Sequence, residues 1–267
     1  MVVVTLLTVT LWSVLAALIF MGGVFVIGRH LKRYDSVDVA WGLVFIVIAL
    51  TALFVSGAPH LASVVMTICI LIWGLRLSTH IYRRLRASTS EDKRYVALRQ
   101  KWQSGNEAVA VFFRIYMVQA ILAVMVSAPV LVSAASPEAA SPLFLFVGVI
   151  IWVIGLSLEA IADRQLRQFI RTPHPKGQLM TEGLWHYSRH PNYFGELLLW
   201  WGVGIMALGT AYGWIGLIGP IVISILIIFI SGIPPTEKAF AGRAGWAVYK
   251  ARTSVLIPWP VKKEARP

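Results

Sequence analysis

The stretch GLWHYSRHPNYFGELLLWWG, residues 183–202, carries the densest polar chemistry of the 267-residue chain. Its proline can occupy the first turn of a helix, because the missing N–H has no helical partner there. Asn192 and Glu196 then lie one turn apart on that helix. Arg189 and His190 stand just before it, where free backbone N–H groups and the helix dipole favour an anion. This pattern predicts a phosphate seat at the head of the helix.

The same stretch has a second interpretation, as an amphipathic segment at a membrane interface. Trp185, Tyr187 and Tyr193 are the residue types that form aromatic belts at such interfaces. The belt accounts for the aromatic residues. It does not account for Glu196, whose carboxylate would face the interior of a membrane. Tyr187 therefore stays with the candidate cofactor-binding residues.

A second polar stretch, LSLEAIADRQLRQFIRTPHPKG, ends an apolar run upstream. Glu159, Asp163 and Arg167 recur every four residues and share one helical face. One interpretation is an ion-pair ladder at a helix end, from Asp163 to Arg167. The other is a polar wall that reaches into the helix bundle, since an acid inside an apolar span is expensive and marks a functional site by default. Arg171, one turn further on, adds a candidate phosphate ligand.

The C-terminal tail, GRAGWAVYKARTSVLIPW, places Tyr249 and Arg252 downstream of Glu237. A basic amphipathic tail on the membrane surface is one interpretation. The other is a tail that folds back over the apolar run 194–211 and closes a cofactor pocket. The residues alone do not separate the two.

In the first half of the chain, Asp38 and Tyr82 are the residues with candidate chemistry. Aspartate is a favoured N-cap, so Asp38 either caps the helix that begins there or acts as an acid. Metal binding is not expected, because the six histidines show no paired spacing with carboxylates or cysteine. The single cysteine, Cys69, excludes a disulfide framework.

The elements that carry these residues are membrane helices. The chain is 58% hydrophobic and only 13% charged, and its mean hydropathy is +0.74. A membrane-spanning helix needs about 20 apolar residues. We predict an all-α integral membrane protein with seven transmembrane helices in a single domain, residues 1–267, with a substrate side at 1–135 and a cofactor side at 142–260. The seven predicted spans are 3–28, 38–56, 61–80, 109–135, 142–162, 194–211 and 213–233.

The distribution of charge predicts the orientation. All 24 Lys and Arg residues lie on one side of the predicted spans or within a turn or two of it. By the positive-inside rule this puts the N-terminus outside and the C-terminus in the cytoplasm, as in a multi-pass protein of a bacterial inner membrane. The net charge of +12 is then explained by topology and anionic membrane lipids, so a nucleic-acid partner is not expected.

The pattern DRQLRQF…GLWHYSRHPNYFGELLLWWG…Y…R resembles the C-terminal domain of the steroid 5α-reductase superfamily. The similarity is greatest to its bacterial and plant branch, long known as a family of unknown function, where it extends to DVAWG and EDKRY. Against the steroid reductases themselves it covers residues 156–258. The resemblance implies a seven-helix enzyme that binds NADPH from the cytoplasm and reduces a C=C bond conjugated to a carbonyl in a steroid-like or isoprenoid substrate.

The resemblance also implies roles for single residues. Asp163 and Arg167 match the family's acid and basic positions, and Asn192 and Glu196 match its N-x-x-G-E element. The remaining cofactor positions are Tyr249 and Arg252, which match the tail, and Glu159, which stands where steroid reductases have asparagine. The Gln–Glu pair of the steroid reductases has no counterpart in span 2, so Asp38 or Tyr82 is expected to supply the acid.

Two other functions fit the same residues. RHPxYxG at the head of a span also resembles isoprenylcysteine carboxyl methyltransferases and phospholipid methyltransferases, which bind S-adenosylmethionine there. A non-enzymatic membrane binding or assembly factor is the third alternative. The copurified cofactor separates them, because the reductase carries a reduced nicotinamide, the methyltransferase carries S-adenosylmethionine and the assembly factor carries neither.

Overall fold

The fold is known from a computed structural model that describes residues 2–57, 59–88, 90–100, 106–137, 141–175 and 177–262. Within these ranges the chain is all-α, and one isolated parallel bridge pairs Ser188 with Ser254. The helices are α1 Val2–His30, α2 Ser36–Val55, α3 Leu61–Ala87, α4 Lys93–Gln100, α5 Glu107–Val126, α6 Ala128–Ala135, α7 Pro142–Arg171, α8 Leu184–Tyr187, α9 Pro191–Leu208, α10 Gly213–Phe240 and α11 Trp246–Arg252.

Six of these helices are long and apolar enough to cross a membrane, which makes the chain a multi-pass integral membrane protein. They are α1, α2, α3, α5, α7 and α10, and they match six of the seven predicted spans. The predicted span 194–211 forms helix α9, which is not among the six. Its first two turns carry Pro191, Asn192 and Glu196, and these lower its apolarity.

One predicted boundary is wrong, because the span 109–135 is two helices. It divides at Ser127, where α5 ends and α6 begins, and Pro129 stands at the start of α6. A proline is accommodated in the first turn of a helix, but it removes a hydrogen bond from a helix interior. The run of apolar residues is continuous across this point, so hydropathy did not reveal the break.

The chain divides into two compact units, one of Met1–Leu145 with Gly204–Gly219 and the other of Phe146–Val203 with Pro220–Pro267. In the first unit, α2 packs against both α1 and α3. Glycines bring α2 and α3 close, since a Cβ on Gly42 would lie 2.6 Å from the carbonyl oxygen of Gly74. At the same contact the hydroxyl of Ser78 donates to the carbonyl of Val39 over 2.8 Å.

In the second unit, α7 and α9 meet along facing glycines. A Cβ on Gly155 would lie 2.5 Å from the backbone nitrogen of Leu199, and one on Gly195 would lie 2.5 Å from that of Glu159. Small residues let helix backbones approach closely within a membrane, where packing replaces the hydrophobic drive. The contact leaves no room for side chains at the glycines, so it fixes which face of α7 meets α9.

Candidate functional site

Beside the glycine contact lies a group of polar side chains, of which the two acids are buried. Glu159 is 3% exposed and Asp163, one turn further along α7, is 5% exposed. The Asn192 amide on α9 donates to Asp163 Oδ1 over 3.5 Å. We call Glu159, Asp163 and Asn192 the polar face. The spacing of the two acids predicted a shared face of α7; both acids are buried, and Asp163 meets Asn192, a contact that the sequence did not predict.

The segment before α9 is tied to the C-terminal tail by Arg189, which is 7% exposed. Its Nε donates to Glu237 Oε1 over 2.8 Å, and its Nη1 donates to the carbonyls of Lys250 and Thr253 over 3.0 and 2.5 Å. Its own backbone N–H donates to the Ser254 carbonyl over 2.8 Å. These contacts explain the burial of Arg189 without a bound nucleotide. Its role in an anion-binding site at the head of α9 stays a prediction.

The tail folds back onto the segment 185–190. The Tyr249 hydroxyl donates to the carbonyl of Trp185 over 2.5 Å, and the Ser188 hydroxyl donates to that of Leu256 over 2.7 Å. The backbone N–H of Trp259 donates to the Tyr187 carbonyl over 3.1 Å. Of the two interpretations of the tail, the structure therefore supports the folded-back one, and whether the tail closes a cofactor pocket stays a prediction.

His190 lies in the same region and is 2% exposed. Its ring stacks on Tyr193 with 5.4 Å between centroids, and its Nε2 is 3.6 Å from Glu237 Oε1. Burial lowers the pKa of His190 to about 4, although the Glu237 carboxylate opposes that shift. The ring is therefore neutral at neutral pH and adds no charge for an anion.

The other predicted cofactor residues all belong to the second unit and differ in accessibility. The half-buried ones are Arg167, Glu196, Tyr249 and Arg252, and the exposed ones are Arg171 and Tyr187. Glu237 and Lys250 were missed as partners of the α9 segment; Lys250 Nζ is 3.3 Å from Glu237 Oε2. Among the described residues, no group of three or more His, Cys, Asp or Glu side chains could hold a metal ion.

In the first unit, the structure corrects the interpretation of Asp38 as a helix cap. Helix α2 begins at Ser36, and the residue at the cap position is Asp35. Asp38 instead lies in the first turn, where its carboxylate accepts hydrogen bonds from Arg94 over 2.8 Å and from the Tyr95 hydroxyl. Both donors lie on α4, so Asp38 joins the start of α2 to that helix.

Asp38 is part of an ion cluster that sequence reasoning did not assemble. Arg33 donates to Asp35 through Nε over 3.2 Å and Nη2 over 3.0 Å, and the Asp92 backbone N–H donates to Asp35 over 3.0 Å. The Tyr34 N–H donates to Glu91 over 2.8 Å. The ion cluster consists of Arg33, Asp35, Asp38, Glu91, Asp92, Arg94, Tyr95 and Arg99. The stretch EDKRY, residues 91–95, was its one signal in the sequence, and we interpreted that stretch only as part of the family resemblance.

The electrostatics of the cluster follow from its contacts. Burial raises the pKa of the Tyr95 hydroxyl, and the charge of Asp38 raises it further, so Tyr95 remains a donor. Burial opposes ionisation of Asp92, but hydrogen bonds from the Arg94 side chain and backbone outweigh it and lower the Asp92 pKa. Tyr82 lies outside this group; it is 47% exposed, and the Arg86 guanidinium lies 5.8 Å from its ring centre.

A comparison with protein-family models identifies the family of the chain, and that family has no assigned function. A family model described as "Protein of unknown function (DUF1295)" matches residues 24–253. The chain is 23% identical over 219 residues to "Uncharacterized protein C594.04c" of Schizosaccharomyces pombe, a match that covers 70% of this chain and 64% of the relative. Thus the chain spans somewhat less than two thirds of that relative.

A second relative carries an enzymatic description. The chain is 35% identical over 86 residues to "Probable O-methyltransferase ustE" of Ustilaginoidea virens, a match that covers 30% of each protein. No solved structure shows significant similarity to the chain.

Proposed function

The chain belongs to the family described as protein of unknown function (DUF1295), and from that premise we propose that it is a membrane-embedded, NADPH-dependent reductase. Its substrate is a lipophilic molecule, steroid-like or isoprenoid, with a C=C bond conjugated to a carbonyl. The polar face is the observation that carries the proposal. Two carboxylates, 3% and 5% exposed, on a membrane-spanning helix are expensive to retain unless polar chemistry requires them.

The residues of the polar face fit the polar parts of the cofactor. Carboxylate oxygens accept hydrogen bonds from a carboxamide or from ribose hydroxyls, which suits Glu159 and Asp163. The Asn192 side chain offers both a donor and an acceptor. Arg167 and Arg171 supply the bidentate fork that suits a 2′-phosphate. NADPH, when bound, supplies the hydride.

Residues 1–135 are proposed to hold the substrate and the proton donor. Hydride addition to the β-carbon leaves negative charge on the carbonyl oxygen, and a donor near that oxygen lowers the barrier. Asp38 accepts hydrogen bonds from Arg94 and Tyr95, so we assign it to the ion cluster. Tyr82 is left as the proposed donor.

The proposed orientation places the N-terminus outside and the C-terminus in the cytoplasm, with α9 as the seventh spanning helix, in the inner membrane of a bacterium. The asymmetry of the 24 Lys and Arg residues supports it. Membrane lipids and the lipophilic substrate are the expected partners, with no role for nucleic acid.

An S-adenosylmethionine-dependent methyltransferase is the second candidate. It is supported by the 35% identity, over 86 residues, to a relative named as a probable O-methyltransferase. The same buried carboxylates could accept hydrogen bonds from the ribose hydroxyls or the ammonium group of S-adenosylmethionine, so the polar face does not separate the two reactions.

The test is a comparison of cofactors on the full-length protein in lipid nanodiscs. We expect NADPH to bind and to be consumed with an enone substrate, and Tyr82→Phe to leave binding intact while it lowers turnover by about 10²–10⁴-fold. Tyr212→Phe, at another exposed tyrosine, is the matched control. Binding of S-adenosylmethionine without NADPH would favour the second candidate, and binding of neither would overturn both.

A further inference from the structure

A cavity of ≈ 450 Å³ opens in the second unit between the last turns of α7 and the segment that returns to α8. Its size falls in the range of about 300–1,000 Å³ that small-molecule sites occupy. Residues of α7 at helical spacing form one wall, and residues 172–175, 178, 180, 182 and 183 form the other. None of the residues that line the cavity belongs to the polar face.

The walls are joined by specific contacts. Gln165 Oε1 accepts a hydrogen bond from the Leu184 backbone over 3.0 Å, and the Trp185 indole donates to the Ala162 carbonyl over 3.1 Å. Gly183 has a φ of +59°, and a Cβ added there would lie 2.5 Å from the Gln165 amide. These contacts fix residues 183–185, at the end of the segment that lines the cavity, to α7.

The chemistry of the lining suits a flat heteroaromatic ring. Phe169 and His174, both in the lining, stack on each other with 4.3 Å between centroids, and such rings form a platform for a base. Gln168 and Gln178 also line the cavity, and a glutamine amide offers the paired donor and acceptor that match the edge of adenine. Arg171 follows Gln168 by one helical turn, where its guanidinium suits a phosphate.

We propose that this cavity binds the adenosine moiety of the cofactor, with the base on the Phe169 ring and a 2′-phosphate towards Arg171. The inference rests on the proposed function, but it does not depend on which of the two candidate reactions is correct, because NADPH and S-adenosylmethionine both contain adenosine. It also moves the nucleotide's phosphate end away from Arg189, whose guanidinium contacts Glu237 and the tail.

The experiment measures binding of two probes to the full-length protein in nanodiscs, adenosine 2′,5′-bisphosphate and S-adenosylhomocysteine. Gln168→Ala and Phe169→Leu should each weaken the probe that binds by about tenfold or more. Arg171→Ala should weaken the bisphosphate alone. Gln100→Ala changes an exposed glutamine of the first unit and is the matched control. Thermal unfolding checks that each variant remains folded, and Gln168, being exposed, is the safer of the two positions.

The possible outcomes distinguish a failure of the cavity assignment from a failure of the proposed function. If the unaltered protein binds a probe or NADPH and both cavity variants bind it equally well, the cavity assignment is overturned and the proposed function stands. If the unaltered protein binds neither probe, NADPH nor S-adenosylmethionine, both fail together. Loss confined to Gln168→Ala and Phe169→Leu, with Gln100→Ala unchanged, supports the assignment.

Discussion

In the first unit, the buried carboxylates of Asp35 and Glu91 are contacted directly by the guanidinium groups of Arg33 and Arg99. In the second unit, Glu159 and Asp163 lie buried on a membrane-spanning helix that packs closely on α9, and Asp163 accepts a hydrogen bond from the Asn192 amide. The ion cluster joins segments 57 residues apart, whereas the acids of the polar face lie one turn apart.

This difference indicates different uses for the same residue type. Breaking a buried ion pair leaves an uncompensated charge and is strongly destabilising, so the ion cluster is expected to hold the segment 88–100 to the α1–α2 turn. The acids of the polar face lie on a membrane-spanning helix, where carboxylates are costly, and they are expected to serve binding. This contrast would be wrong if substitutions in the ion cluster and in the polar face lowered stability and cofactor binding to the same extent.

The largest expected effect is on the ion cluster. The Asp35 side chain is 2% exposed and accepts two hydrogen bonds from Arg33. Asp35→Ala should lower the free energy of unfolding by about 3–5 kcal/mol, because the Arg33 guanidinium and the Asp92 backbone N–H both lose a buried carboxylate acceptor. Thermal or denaturant unfolding in detergent measures this. Glu107→Ala, at a carboxylate 42% exposed, is the control, and equal losses in the two variants would contradict the assignment.

The next effect concerns pH and His190. The pKa of this ring is lowered to about 4 from an ordinary value of 6.5, so the unfolded chain binds a proton in that window before the folded one does. Stability should therefore fall as the pH drops from about 6.5 towards 4, by about 3 kcal/mol at most, since one pKa unit corresponds to about 1.4 kcal/mol. The measurement is the unfolding temperature against pH.

The control for that experiment is His190→Gln, which does not titrate. Its unfolding temperature should fall less steeply than that of the unaltered protein over the same pH window. His186→Gln, at an exposed histidine, should keep the full slope. Parallel curves for all three proteins would show that another group causes the loss in acid.

Asn192 of the polar face and Glu196, one turn further along α9, should show the opposite behaviour to the ion cluster. Asn192→Ala and Glu196→Gln should each weaken NADPH binding by about 1–3 kcal/mol, the cost of leaving a buried polar group without its partner, with a smaller change in stability than Asp35→Ala. A cofactor titration gives the affinity. Ser224→Ala, on α10, serves as a polar control within the same unit. Normal titration in both variants would mean that this face is structural.

The smallest expected effect concerns the exposed arginine at the end of α7. Arg171→Ala should reduce the preference for NADPH over NADH by about 1 kcal/mol or less, because an exposed charge is screened by solvent. Added salt should likewise reduce the preference of the unaltered protein for NADPH over NADH. Equal affinity of the unaltered protein for the two cofactors would show that it does not recognise the 2′-phosphate.

The sequence by itself determined the membrane class and the local placement of the acids. Long apolar runs must form helices in a membrane, because a helix satisfies its own backbone hydrogen bonds. Six predicted spans follow from that rule. The four-residue spacing of Glu159 and Asp163 determined their common face, because the helical period is local.

The tertiary structure decided which distant side chains meet. Asp38 and Tyr95 are 57 residues apart, and Arg189 and Glu237 are 48 apart; no periodicity in the sequence encodes such pairs. The position of Asp38 inside α2 depended on one or two residues at a helix boundary, where pattern-based predictions are least certain. The burial of the polar face depended on facing glycines of α7 and α9. The small size of glycine permits close contact between helices but does not determine which helices meet.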